Sequence, residues 1–209
     1  MLLRRLLLLS VLLGLAVAPL GARATPAANP AAFVNTPVQQ GIQLITEQLP
    51  EQQREQRFSA LLRDGFDIPR IARFVLGRYW ISVSDQDRQQ FANLYEEWNV
   101  KIYSVRFRDY SGQTVKVEGT KPVSNEVTLV TSEISWPNGP PLKVDWRVRA
   151  DNGDYKIVDV EVEGVSMALA QRDEFASVIQ QNGGTVAGLN RALEARLASG
   201  DLGARTSTH

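Results

Sequence analysis

Cysteine is absent from all 209 residues, and histidine occurs once, as the terminal His209. Without thiols there is no disulfide framework, so stability has to come from packing alone. Without an internal histidine or any cysteine, Ser-His-Asp and Cys-His nucleophile systems are excluded, as is zinc held by thiolate and imidazole. Neither a G-x-x-x-x-G-K-[ST] nor a G-x-G-x-x-G phosphate cradle is present. An excess of positive charge is lacking too: 23 Lys and Arg stand against 23 Asp and Glu. The field that phosphate-backbone binding demands is therefore missing, which argues against nucleic acid as a partner.

The one long apolar run lies at the start. Arg4 and Arg5 precede an apolar stretch over residues 6–18, and Ala22-Arg23-Ala24 closes it with a small-x-small pattern. That layout is a cleavable secretion signal over residues 1–24. The run is shorter than the roughly 20 residues a bilayer-spanning helix needs. Cleavage before Thr25 would remove three arginines and no acid, leaving 20 basic and 23 acidic residues. The sequence thus predicts a soluble exported chain with one domain over residues 25–198. A polar tail, residues 199–209, has little to bury.

Period and punctuation then divide the chain. Val38, Ile42, Ile45 and Leu49 recur at helical spacing up to Pro50, and Phe58, Leu61 and Leu62 mark a second helix that stops at Gly65. Asp67 and Pro69 open a third, which carries Ile68, Ile71, Phe74, Val75 and Leu76 before Gly77. Ser84, Asp85 and Asp87 start the longest helix. Its apolar positions are Phe91, Leu94, Tyr95, Trp98, Ile102 and Val105, and its expected solvated face is Gln89, Asn93, Glu96 and Glu97. The period next falls to two, giving strands over residues 114–119, 126–136, 142–149 and 155–163. Turns at Pro137-Asn138-Gly139-Pro140 and Asp151-Asn152-Gly153 separate the later strands. Two helices follow, split at Gly183-Gly184. The fold class is therefore α+β: N-terminal helices, a four-stranded antiparallel meander sheet, then C-terminal helices.

A broad apolar helical layer over one apolar sheet face can be filled by side chains or left partly open for an apolar ligand, and periodicity does not separate the two. For catalysis only carboxylates, Lys and Tyr remain. Asp159, Glu161 and Glu163 sit at spacing two, the arrangement a carboxylate-based hydrolase would use. A solvated strand face is the plainer account of the same three residues.

Val75-Leu76-Gly77-Arg78-Tyr79-Trp80, residues 84–91 and the helix through Tyr103 together resemble the MlaC family, also called toluene-tolerance proteins. Pro137-Asn138-Gly139, Val144-Asp145-Trp146-Arg147-Val148-Arg149, Val158-Asp159-Val160, Glu163-Gly164-Val165-Ser166-Met167 and Gln171-Arg172-Asp173-Glu174-Phe175 continue the resemblance in the same order. It implies a periplasmic phospholipid carrier that shuttles lipid between an outer-membrane lipoprotein complex and an inner-membrane ABC transporter complex and maintains outer-membrane lipid asymmetry. It implies no enzyme activity, no metal and no cofactor beyond bound phospholipid as cargo. A sister branch implies a hopanoid or sterol-like cargo instead.

On that reading the helices and sheet enclose an apolar lipid cavity. Phe74, Leu76, Tyr79, Trp98, Ile102, Val144, Trp146 and Met167 are then the expected lipid-binding contacts, each equally open to ordinary core packing. Gly77 and Gly164 are expected to serve turns. Arg78 is placed either at a headgroup or in a surface ion pair, and Arg106 and Arg108 at the dipole of the long helix or at an acidic partner.

Overall fold

The computed structural model describes residues 29–47, 49–106, 112–137, 139–151 and 154–201. The expected signal over residues 1–24, Arg108, Asn138, Asn152, Gly153 and the tail from residue 202 lie outside the described residues. So do the side chains of Val105 and Arg106.

Helix α1 (Pro30–Thr46) starts where the Asn29 side chain accepts the Ala31 N–H at 2.9 Å with Pro30 in the first turn. It ends before Leu49, because the Glu47 N–H closes the last turn on the Gln43 carbonyl and Pro50 instead opens α2 (Glu51–Gly65). Asp67 caps α3 (Ile68–Leu76) by accepting the Arg70 N–H, as the sequence predicts. A one-turn helix α4 (Tyr79–Ser82) was not foreseen. It sits between Gly77 and Ser84. Ser84 then accepts the Asp87 N–H at 3.1 Å and opens α5 (Asp85–Arg106). On α5, Glu96 is not on a solvated face: its carboxylate takes the Ser59 hydroxyl and the Arg63 guanidinium, both at 2.8 Å, and so ties α5 to α2.

Strands β1 (Thr114–Pro122), β2 (Val127–Ser135), β3 (Leu142–Asp151) and β4 (Asp154–Val162) form the expected antiparallel meander, and a fifth, β5 (Val165–Ser166), extends it. β5 is two residues long, too short for a periodic signal. The hairpin before it turns through Glu163 and Gly164, both at positive φ (49° and 79°), the geometry of a tight two-residue turn. Helices α6 (Met167–Gln181) and α7 (Val186–Ser199) complete the chain.

The largest core lies among helices. Phe175 of α6 is enclosed by Phe91, Tyr95 and Trp98 of α5 at ring distances of 5.9, 6.2 and 5.3 Å, with Leu189 and Leu193 of α7 buried beside them. A second cluster joins Val34 of α1 to Val130, Val148 and Ile157 of the sheet. Between these two bodies the packing is incomplete.

Candidate functional site

The gap is an apolar cavity of about 400 Å³. Its floor is the inner face of the sheet. Leu142, Val144 and Trp146 alternate along β3, and they pair with Ile134 of β2 and with Val162 and Val160 of β4. The Trp146 indole N–H donates to the Ser132 hydroxyl at 2.9 Å, so the ring presents an apolar body while its polar edge is satisfied within the sheet. Opposite, α1 supplies Val38, Gly41, Ile42 and Ile45 at helical spacing. Phe58, Leu61 and Leu62 of α2, with Phe66, Ile68 and Ile71, close one end. Those deep residues are mostly buried, whereas Val115, Ile134, Leu142, Val162 and Met167 near the strand ends are half-exposed.

One wall is polar. Tyr95, Asn99 and Tyr103 follow one another along α5 at four-residue intervals, facing Gln171 and Ala168 of α6 and Asp159 of β4. The Tyr95 hydroxyl donates to Gln171 Oε1 at 2.5 Å, the Asn99 amide donates to the Tyr95 carbonyl at 2.7 Å, and Gln171 Nε2 reaches Asn99 Oδ1 at 3.4 Å. Burial, above all, pushes the Tyr95 phenol well above its ordinary range; Tyr103 and Asp159 add to the rise and the Asn99 hydrogen bond opposes it. The phenol therefore stays protonated at any ordinary pH and acts as a donor.

The expected contacts fall into two groups. Val144, Trp146 and Met167 line the cavity. Leu76, Trp98 and Ile102 do not: they are buried in the helical core, Leu76 from α3 and the other two from the face of α5 that packs on the C-terminal helices. Tyr79 packs on the same core beneath the Arg78 guanidinium, 5.0 Å above its ring, and among the described residues Arg78 meets neither an acid nor the cavity. Phe74 is 44% exposed on the far side of α3, with the Arg172 guanidinium 5.4 Å over its ring. The α1 and α2 contributions were not foreseen as lining, although the Val38, Ile42, Ile45 stripe was legible. The Tyr95, Asn99, Gln171 group carries no motif.

The three spaced carboxylates do not converge on a reaction centre. Asp159 accepts the N–H groups of Val160 and Ala168 and the Ser166 hydroxyl, which caps the start of α6. Glu161 pairs with Arg147 on the other face of the sheet, and Glu163 accepts the Lys143 N–H at 2.6 Å. Among the described residues no group of His, Asp or Glu is placed to hold a metal ion, and no helix is long and apolar enough to cross a membrane.

The profile of the family described as MlaC protein matches residues 36–195. This chain belongs to the MlaC family. The match spans α1 through most of α7 and so takes in every wall of the cavity. Among relatives, the chain is 23% identical over 106 residues to the toluene tolerance protein ttg2D of Pseudomonas putida, an alignment covering 51% of this chain and 49% of that one. It is 26% identical over 113 residues to the intermembrane phospholipid transport system binding protein MlaC of Haemophilus influenzae, covering 52% and 53%. The chain thus spans about half the length of the curated relatives it matches. Among solved structures, a phospholipid-binding protein of Ralstonia solanacearum, determined in complex with a phospholipid, has the same fold. It superposes with a TM-score of 0.71 at 22% identity, over 82% of this chain and 98% of that one.

Proposed function

We propose that this chain is an exported, periplasmic phospholipid carrier. Residues 1–24 direct export, and residues 25–198 form the lipid-binding domain. The carrier holds acyl chains in the cavity, shuttles lipid between an outer-membrane lipoprotein complex and an inner-membrane ABC transporter complex, and thereby supports outer-membrane lipid asymmetry. The observation that carries this reading is the apolar cavity between α1, α2 and the sheet, in a chain of the MlaC family. Each acyl methylene withdrawn from water contributes about 0.8 kcal/mol, so a dry cavity needs few polar contacts to hold a lipid. The phospholipid-bound neighbour of the same fold and the phospholipid transport relative support the choice of cargo. Binding without chemistry fits a site whose nearby carboxylate is spent on capping α6.

On this reading Val144, Trp146 and Met167 touch the acyl chains, joined by Val38, Ile42 and Ile45 of α1. The test is native mass spectrometry of protein purified from the periplasm without detergent, followed by extraction of what copurifies. Phospholipid in near-stoichiometric amount is the expected result. A hopanoid would move the cargo to sterol-like lipid, and a protein that arrives empty and takes up no lipid from vesicles would overturn the reading.

A further inference from the structure

The polar wall has an unequal balance of donors and acceptors. The Tyr95 hydroxyl spends its single proton on Gln171 Oε1, which fixes the orientation of that amide and leaves its NH2 turned to the other side. Gln171 Nε2 carries two hydrogens and has one acceptor, Asn99 Oδ1, at a long 3.4 Å. Asn99 Nδ2 gives one hydrogen to the Tyr95 carbonyl and turns the other toward the Tyr95 phenol. Both residues line the cavity, and among the described residues the second Gln171 N–H has no partner. The Asp159 carboxylate on this wall already receives a hydroxyl and two backbone N–H groups. The wall therefore offers one unused donor, the second Gln171 N–H. An anion does not suit it, because the Asp159 carboxylate lines the same cavity and apolar walls on the remaining sides would leave a second negative charge unsolvated.

We propose that the Gln171 amide, held in place by Tyr95 and Asn99, forms a subsite for a neutral acceptor, filled by an ester carbonyl of the bound lipid. This deepens, and rests on, the phospholipid reading above. Ester carbonyls are the only polar atoms of a diacyl lipid that enter with the acyl chains, while the charged headgroup stays in water. The subsite therefore recognises the ester linkage, independent of headgroup, in a cavity that otherwise measures only apolar volume.

The experiment loads purified full-length mature protein from vesicles containing equal amounts of a diester phosphatidylethanolamine and its diether analogue with the same chains, and counts each by native mass spectrometry. Wild-type protein is expected to take up the ester lipid about fivefold in preference, the discrimination one net hydrogen bond supplies. In Gln171→Leu the ratio is expected to fall to near one. Since that change leaves the Tyr95 hydroxyl unpaired, the double variant Tyr95→Phe with Gln171→Leu, which removes both partners, serves as the folded comparison and should also lose the preference. Equal uptake of the two lipids by wild-type protein would overturn the subsite, as would a preference that survives in both variants. If neither lipid loads, the carrier reading itself falls and the subsite with it.

Discussion

The indole N–H of Trp146 on β3 donates to the hydroxyl of Ser132 on β2 at 2.9 Å, and that hydroxyl in turn donates to the Val144 carbonyl at 3.3 Å. The link holds a large aromatic floor plate flat beneath the cavity. Replacing Ser132 by Val leaves the indole N–H without its acceptor, and a loss of about 1 kcal/mol in urea unfolding is expected. Adding Trp146→Phe removes the stranded donor and should recover part of that stability. A Ser132→Val protein as stable as wild type would show the link to be idle.

A charge placed on the sheet floor should empty the cavity. Val144→Asp and Trp146→Arg each put an unpaired ion among apolar walls, and lipid loading is expected to fall at least about tenfold, the effect of roughly 1.4 kcal/mol. Circular dichroism identifies which variant remains folded. Normal loading by a folded variant would mean that cargo binds elsewhere.

Gly188 has the least room for a side chain of the glycines among the described residues. A β-carbon there would stand 2.0 Å from the backbone carbonyl oxygen of Asn182, which cannot swing aside as a flexible side chain could. Gly188→Ala is expected to cost about 1–3 kcal/mol in thermal or urea unfolding by forcing α7 away from the end of α6. Gly200→Ala makes the useful contrast: it has open space around it and only its positive φ of 71° to oppose the change.

Asp145 gives the outer sheet face a pH dependence. Burial alone would raise its pKa, but the Thr131 hydroxyl, the Lys143 ammonium at 2.9 Å and the charge of Arg147 outweigh that and hold the carboxyl below its ordinary range. A carboxylate whose folded pKa lies below its unfolded value adds stability above the unfolded value, and that stability is lost as pH falls through the folded one. Asp145→Asn should therefore be less stable than wild type at pH 7, and the gap should narrow as both are acidified below about 4, near the unfolded value. A gap that stays constant with pH would assign the loss to packing instead of charge.

Much of the architecture was legible because its signals are periodic or punctuated. The alternation Leu142, Val144, Trp146, Val148 fixed which face of β3 turns inward, and Asp67 with Pro69 fixed the start of α3. β5 and α4 were not legible, since two and four residues hold no period. The site was harder. Trp98 and Tyr95 belong to one apolar stripe and both meet Phe175, yet the roughly 60° between them lets Tyr95 alone also reach the cavity wall at Gln171. Which side of a wide apolar helix meets the sheet is decided by α6 and α7, nearly a hundred residues away. Asn99 and Gln171 were invisible for a related reason: an amide gains meaning only from the partner that orients it.

The residues that bind α5, α6 and α7 to one another, such as Phe91, Phe175, Leu189 and Leu193, contribute nothing to the walls of the cavity. The helical scaffold and the cavity walls thus share only a few side chains, Ile68, Ile71, Tyr95 and Ala168 among them. On the proposed carrier reading, a lipid that leaves the cavity takes no contact from Phe91, Phe175, Leu189 or Leu193, so the emptied chain keeps its helical core and stays folded.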